Sequence, residues 1–228
     1  MKRSKATPAY HHGDLRAALV EAATVLLESA GPSALSLRSV AREAGVSHAA
    51  PYRHFKDRHE LLEAVAAAGF RALETGLDEI ESRFPGDARR QVIEACRGYV
   101  RENLAHPHRT ALMFGGLLDA GRRSQELHLA IEESFGKLLA TIKRGEGTLY
   151  RSMPTRQLVL TLWSATHGYT MLAISGQAEA FDPGSDTEKR IEEIIEHLLR
   201  GLRQHAGLVA PWMFFSQDLR VVMDVLNR

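Results

Sequence analysis

Apolar residues recur at intervals of three and four along nearly the whole chain, which is the period of amphipathic helices. Alternating β-branched runs bounded by turns, the usual signal of strands, are nearly absent. The pattern therefore predicts an all-α protein. We expect helices at about residues 15–30, 37–44, 48–55, 58–83, 88–105, 110–120, 124–144, 155–175 and 185–203. Two N-terminal capping boxes are expected, Asp57 with Glu60 and Ser185 with Glu188.

The helices before residue 58 are short, whereas those after it are long. This change predicts a small N-terminal domain at residues 1–58, which begins with a flexible arm at 1–12, and a larger helical domain at 59–228. The tail from Gly207 continues beyond the last expected helix. It would serve as packing cover, a dimer arm or a lid over a pocket, and packing cover is the preferred interpretation.

Residues 36–55 have the pattern of a helix-turn-helix. Leu37, Val40 and Ala41 would form the inner face of its first helix, and Gly45 falls where the turn requires a left-handed backbone. Ser47 is expected to cap the second helix, which Tyr52 and Phe55 would pack against its neighbours. In this arrangement the second helix enters the major groove of DNA.

The charge distribution agrees with a DNA-binding head. Residues 1–58 carry nine Lys and Arg against five Asp and Glu, a net charge of +4. The remainder of the chain is at −3, so the whole chain is only +1. A basic end on a slightly acidic chain is typical of DNA-binding proteins, although chance remains an alternative for a difference of this size.

The exposed side of the motif supplies candidate DNA contacts. Ser36, Tyr52, His54 and Lys56 are placed to reach phosphates, because they flank the two helices. The start of the second helix would face base edges, and Arg53 could bind guanine with both arms of its guanidinium. The complete set is Ser36, Arg38, Ser47, His48, Ala49, Tyr52, Arg53, His54 and Lys56. Pro51 lacks an amide, so this helix could begin one or two residues after Ser47.

At this point the chain resembles the TetR family of bacterial regulators. The match rests on the run V-S-H-A-A-P-Y-R-H-F-K-D at residues 46–57 and covers about residues 13–62. A second run, W-S-A-T-H-G-Y at 163–169, resembles the Trp-His-Gly signature of one C-terminal subgroup of that family. The resemblance implies an all-helical homodimer with a three-helix DNA-binding head and a larger effector domain. Its two most C-terminal long helices would form a four-helix interface with the partner.

The expected dimer interface comes from the helices at 155–175 and 185–203, because the first is apolar nearly all round and the second has a clean apolar stripe. Its candidates are Leu158, Leu162, Tyr169, Ile191, Ile195 and Leu198. The candidate effector pocket contains Phe70, Met113, Phe114, Trp163 and His167, which suggests a partly apolar ligand. The alternative for His167, Trp163 and Tyr169 is an ordinary place in the core or the interface.

The sequence thus predicts a homodimeric repressor that a small molecule releases from a palindromic operator. Two other classes stay open: an all-helical enzyme that uses a buried His167, and a helical interaction module. No nucleophile elbow, glycine-rich phosphate loop or metal-ligand spacing supports an enzyme, a cofactor or a metal. A cytoplasmic location is expected, because Cys96 is the only cysteine and neither a signal peptide nor a membrane span is evident.

Overall fold

The computed structural model describes residues 15–118, 123–150 and 153–204, with side chains to residue 201. The expected arm at 1–12 and the tail from Gly207 lie outside these residues. Nine α-helices occur in the described part, joined by turns and two short 3-10 helices, and no β-strand occurs there. The α-helices are α1 (Leu15–Ala30), α2 (Leu37–Glu43), α3 (Arg58–Arg83), α4 (Ala88–Ala105), α5 (Pro107–Phe114), α6 (Gln125–Lys143), α7 (Thr155–Ile174), α8 (Gln177–Phe181) and α9 (Thr187–Gln204). The all-α prediction is confirmed.

The chain divides into two compact units, residues 1–61 and 62–228. The division falls within α3, the helix in which the sequence predicts a domain boundary between residues 58 and 59. In the first unit α1 packs against α2 around a small apolar core. Its buried side chains are Leu19, Ala23, Leu27, Leu35, Leu37, Val40, Ala41, Phe55 and Leu61.

The second unit has its core between α4, α6, α7 and α9. The side chains that fill it come from the inner face of each helix and from the loop after α6. Tyr150 closes one end of this core, where its hydroxyl lies 2.8 Å from Thr155 Oγ1. Three of these helices, α4, α6 and α7, also line the cavity described below.

Three expected helix boundaries in the second unit are wrong. The helix expected at 110–120 begins at Pro107, because proline suits the first helical turn, and ends at Phe114. The expected loop at 176–184 contains the short helix α8. The last helix is capped by Asp186, whose carboxylate accepts the Lys189 amide at 2.9 Å, and not by Ser185.

The dimer-interface candidates are mostly core residues. Leu158, Leu162, Ile191 and Ile195 are at most 2% exposed and pack within their own chain, so they leave almost no surface for a partner. Tyr169 and Leu198 are partly exposed. Apolar periodicity identified the inward face of each helix correctly but could not tell a partner subunit from a neighbouring helix.

Candidate nucleic-acid interface and ligand cavity

The turn after α2 is a Schellman motif. The amide of Val46 donates to the Ala41 carbonyl at 2.9 Å, and the amide of Gly45 donates to the Arg42 carbonyl at 3.2 Å. Gly45 has φ +68°, in the left-handed region that favours glycine, as the sequence predicts. At the other end of α2, Ser36 and Ser39 exchange side-chain and backbone hydrogen bonds in a capping box.

The helix expected at 48–55 is shorter and tighter than the prediction. Residues 48–50 form a turn, and a 3-10 helix follows at Pro51–Arg53. Ser47 does not cap this helix with its side chain, because the N-cap position belongs to Ala50. Pro51 is buried at the first helical position, where its missing amide costs no hydrogen bond.

This segment is held against the rest of the first unit by Phe55 and Pro51, and not by Tyr52. Phe55 is 1% exposed, and the Arg16 guanidinium lies 5.1 Å from the centre of its ring. Tyr52 is 55% exposed, so its expected packing role is wrong. The turn that carries it is therefore pinned on one side and open on the other.

The open side brings the candidate DNA contacts to the surface of the first unit. All nine are accessible, and only His54 among them is partly covered. Arg42 is exposed as well and was not among the candidates. This unit therefore presents hydroxyl, imidazole and cationic groups beside a short helical turn, which is the chemistry that binds phosphates and base edges.

Arg58 is basic but has a structural role. Its guanidinium donates to the Leu35 carbonyl at 2.8 Å and to the Pro32 carbonyl at 2.5 Å. It thus ties the start of α3 to the turn before α2. Asp57 caps α3 by accepting the Glu60 amide at 3.0 Å, and Glu60 accepts the Lys56 amide at 2.7 Å. The capping box is confirmed for Asp57, whereas Glu60 reaches back one residue further than expected.

A cavity of about 510 Å³ lies within the second unit, between α3, α4, α5, α6 and α7. Phe70, Phe114 and Trp163 of the candidate pocket line it. Met113 instead borders a small gap of about 10 Å³ beside it. His167 is not a lining residue, but its ring centre is 4.9 Å from that of Phe114 and 5.7 Å from that of Trp163.

Two aromatic residues of this cluster were missed by the sequence analysis. Phe135 packs edge-on against Trp163 at 5.2 Å, and Tyr99 holds His167 through a hydrogen bond of 2.9 Å to Nδ1. Burial raises the pKa of Tyr99 and lowers that of His167, so both side chains are neutral near pH 7. Phe135 and Tyr99 lie on α6 and α4, helices whose inner faces the apolar periodicity identified. Only the folded bundle shows that these faces meet at a cavity.

Ion pairs join α4 to the start of α9 at one edge of the second unit. Arg101 binds Glu188 with two hydrogen bonds of 2.7 Å, and Arg97 reaches the same carboxylate at 3.0 Å. The hydrogen bonds from Arg101 hold the pKa of Glu188 at about 2, and those from Arg97 add to the effect. Arg101 and Glu94, which pairs with Arg97 at 3.1 Å, are also on the cavity wall.

Two protein-family models match the chain. The model described as bacterial regulatory proteins of the tetR family covers residues 19–65, which include the turn and the 3-10 helix. The model described as a tetracyclin repressor-like C-terminal domain covers residues 92–198, which include most of the cavity wall. The chain belongs to the TetR family. As a TetR-family transcriptional regulator, it carries its DNA-binding motif in the first unit and an all-helical C-terminal domain in the second.

Solved structures support the same fold. A protein with unknown function from Rhodococcus sp. RHA1 is 32% identical, with 87% of this chain and 100% of that chain covered and a TM-score of 0.74. The TetR family regulator PfmR from Thermus thermophilus is 19% identical, with 81% and 98% covered and a TM-score of 0.60. The TetR family repressor AlkX from Dietzia sp. is 20% identical, with 86% and 98% covered and a TM-score of 0.51. A comparison with curated protein sequences gave no significant match.

None of the helices described above combines the length and the apolar character that a membrane crossing requires.

Proposed function

We propose that this TetR regulator is a homodimeric repressor that binds a palindromic operator and leaves it when a small molecule enters the cavity of the second unit. The observation that carries the proposal is the pinned, open-sided turn at residues 47–56. Its buried Pro51 and Phe55 fix the backbone, while its hydroxyl, imidazole and cationic groups face solvent. Such a surface matches a groove flanked by phosphates.

Within this surface the side chains divide into two roles. Tyr52, His54 and Lys56, together with Ser36, bind phosphates and set the position of the protein on the duplex. Ser47, His48 and Ala49 meet base edges, and Arg53 recognises guanine. Arg38 adds positive charge on α2, and exposed Arg42 belongs with it. Base contacts therefore concentrate in the turn before the 3-10 helix.

A fluorescence-anisotropy titration against genomic fragments at two salt concentrations tests DNA binding. A preferred fragment bound tightly, with affinity that falls steeply as salt rises, is expected for a sequence-specific regulator. Absence of binding at low salt would refute the proposal. A steep salt dependence without a preferred fragment would leave only non-specific binding.

Single substitutions test the two roles. Tyr52→Ala and Lys56→Ala should weaken binding to all sequences about equally, and Lys56→Ala should reduce the slope of log K against log salt by about 1. His48→Ala should instead change the preference between sequences. Lys189→Ala removes an exposed cation of the second unit and should leave binding unchanged. Unchanged affinity in all three of the first variants would refute this assignment of the surface.

The homodimer is proposed to use the outer faces of α7 and α9. On α7 these are Ser164, Gly168, Met171 and Leu172, and on α9 they include His197 beside partly exposed Ile194 and Leu198. Met171 and Leu172 are 39% and 46% exposed, so α7 presents two adjacent large apolar side chains at the surface. Gly168 has open space around its α-carbon, which permits close approach of a second helix.

Release of the operator follows from a ligand in the cavity. A dimer must place its two heads about one DNA turn, ~34 Å, apart. A change of a few ångströms in that distance would lose one half-site, so a ligand that favours the altered spacing lowers operator affinity.

The proposal includes a cytoplasmic location, no cofactor and no enzymatic activity. It also includes membership of the Trp-His-Gly subgroup, whose signature the run at 163–169 resembles.

A further inference from the structure

The polar groups inside the cavity are uncharged. Tyr99, Ser134, Thr166 and Cys96 contribute hydroxyl or thiol groups to its wall, and burial raises the pKa of the Cys96 thiol to about 11. The ionised residues of the wall either form ion pairs with other residues or are exposed to solvent. Glu94, Arg101 and Glu102 form ion pairs with residues outside the wall, and Glu79 and Arg83 are exposed.

Among these polar groups, the hydroxyl of Ser134 is available to bind a ligand. Thr166 donates to the Leu162 carbonyl at 2.7 Å, and the Tyr99 hydroxyl is engaged by His167. Ser134, on α6, is 7% exposed and lines the cavity, yet its hydroxyl has no hydrogen-bond partner among the residues that the structure describes. Because that oxygen opens onto the cavity and is not enclosed by protein atoms, a ligand acceptor that replaces water there can take its hydrogen bond.

Two glycines keep the wall open. Gly76 and Gly98 lie in the middle of α3 and α4 and line the cavity, and neither has a positive φ. A Cβ at Gly98 would meet nothing closer than Ile80 at 3.9 Å, and one at Gly76 would meet nothing within 4 Å. Packing therefore does not require glycine at either site, although glycine costs about 1 kcal/mol relative to alanine in a helix. A larger side chain at either position would take up part of the cavity.

We infer that the cavity binds a neutral, largely apolar molecule of roughly two or three rings, whose single hydrogen-bonding oxygen meets the hydroxyl of Ser134. The size follows from the volume, because ~150 Å³ is enough for benzene in an engineered cavity of another protein and this cavity has about 510 Å³. The aromatic walls of Phe114, Phe135 and Trp163 suit flat rings. The inference deepens the proposed function, since it names the chemistry of the effector.

Three probes of the same shape test the charge requirement by isothermal titration calorimetry with the full chain at about pH 7.5. They are 2-acetonaphthone, a ketone; 2-naphthoate, a carboxylate that is ionised at this pH; and 2-isopropylnaphthalene, a hydrocarbon. The ketone is expected to bind best. The carboxylate should bind at least about tenfold more weakly, because it would lose hydration while Arg101 of the wall is already paired with Glu188 and Arg83 lies on its solvent-exposed part. A carboxylate that binds as well as the ketone would overturn the neutral-ligand inference.

Ser134→Ala tests the hydrogen bond. It should weaken the ketone by about threefold to tenfold, the effect of one lost neutral hydrogen bond, and leave the hydrocarbon unchanged. The ratio between the two probes is the decisive readout, because a general loss of packing would weaken both equally. An unchanged ratio would remove Ser134 from the site.

Gly98→Leu tests the location, since its side chain would project from the cavity wall. We expect it to abolish binding of all three probes while the protein remains folded by circular dichroism. Gly136→Leu is the matched control on α6, away from the wall and with open space around it, and should bind as the parent does. Probe binding that survives Gly98→Leu would place the ligand elsewhere, and failure of all three probes to bind the parent chain would overturn the inference. None of these measurements uses DNA, so the inference can fail while operator binding stands, and the reverse.

Discussion

Gly45, Pro51 and Phe55 each impose one constraint on the DNA-binding turn. Gly45 permits the left-handed backbone that ends α2, and Pro51 fixes the start of the 3-10 helix. Phe55 anchors the far end of the segment under the guanidinium of Arg16. Because these three residues hold the backbone, the exposed side chains between them are free to bind without supporting the fold.

Gly45→Ala should lower the free energy of unfolding of the first unit by about 1–2 kcal/mol, since an L-residue in the left-handed region meets its own backbone. Chemical denaturation followed by circular dichroism measures the change. Gly136→Ala is the control, because Gly136 is in α6 with helical φ and open space, and it should be neutral or slightly stabilising. Equal stability of Gly45→Ala and the parent would contradict the need for glycine at this turn.

Among the helices of the second unit, α4 contacts the core, the cavity and the start of α9. It contributes Val92, Cys96 and Val100 to the core, and Tyr99 and Gly98 line the cavity together with Val92 and Cys96. Its arginines hold the first turn of α9 through Glu188. A ligand against α4 would therefore act on a helix that is also fixed to α9 by charge.

The Glu188 carboxylate should make stability depend on pH in the acid range. Its pKa is lowered from 4.5 to about 2, so the folded protein binds its proton less readily than the unfolded chain does. Its stabilising contribution is complete above about pH 4.5 and is lost as the pH falls towards 2. Glu188→Gln should lower the melting temperature near pH 7, by less near pH 3, and by least near pH 2.

The control for this measurement is Glu133→Gln, which changes an exposed glutamate on α6 and should alter the melting temperature little at any of these pH values. A Glu188→Gln effect of the same size at all three would mean that the ion pairs with Arg97 and Arg101 add no stability. The expected effect is modest, since about a third of the Glu188 side chain is accessible to water.

At the scale of the whole molecule, the surface of the second unit exposes large apolar side chains on α7 and α8. Met171 and Leu172 stand out on α7, and Phe181 on α8 is 94% exposed. The three lie on α7 and α8, the two consecutive helices that precede α9 in the chain. In a homodimer built on α7 and α9, this region would be covered by the partner, which accounts for large apolar side chains at the surface.

Leu172→Glu should convert the proposed dimer of 25.3 kDa chains to monomers, because it places a charge in the apolar part of the interface. Sedimentation velocity measures the change. Leu129→Glu is the matched control, since Leu129 is 43% exposed on α6 against 46% for Leu172. A monomeric parent chain would refute the homodimer, and a Leu172→Glu variant that stays dimeric would move the interface to another face.

Local features of the sequence are enough to predict much of this architecture. The period of apolar residues is enough to predict α1, α4, α6 and α7 to within a residue or two, because a helix satisfies its own hydrogen bonds and needs only one apolar face. Gly45 marks its turn because no other residue tolerates that backbone so easily. The family follows from the same stretch, since residues 46–57 carry its pattern.

Tertiary structure decided what each apolar face meets. Leu158 and Ile191 have the pattern of an interface, but neighbouring helices of the same chain bury them, and periodicity does not identify the covering partner. The segment at 48–55 becomes a turn and a 3-10 helix because the packing of Pro51 and Phe55 overrides the weak preference of a short helix. The unpartnered hydroxyl of Ser134 arises only where five helices leave a space between them, and a sequence does not record empty volume.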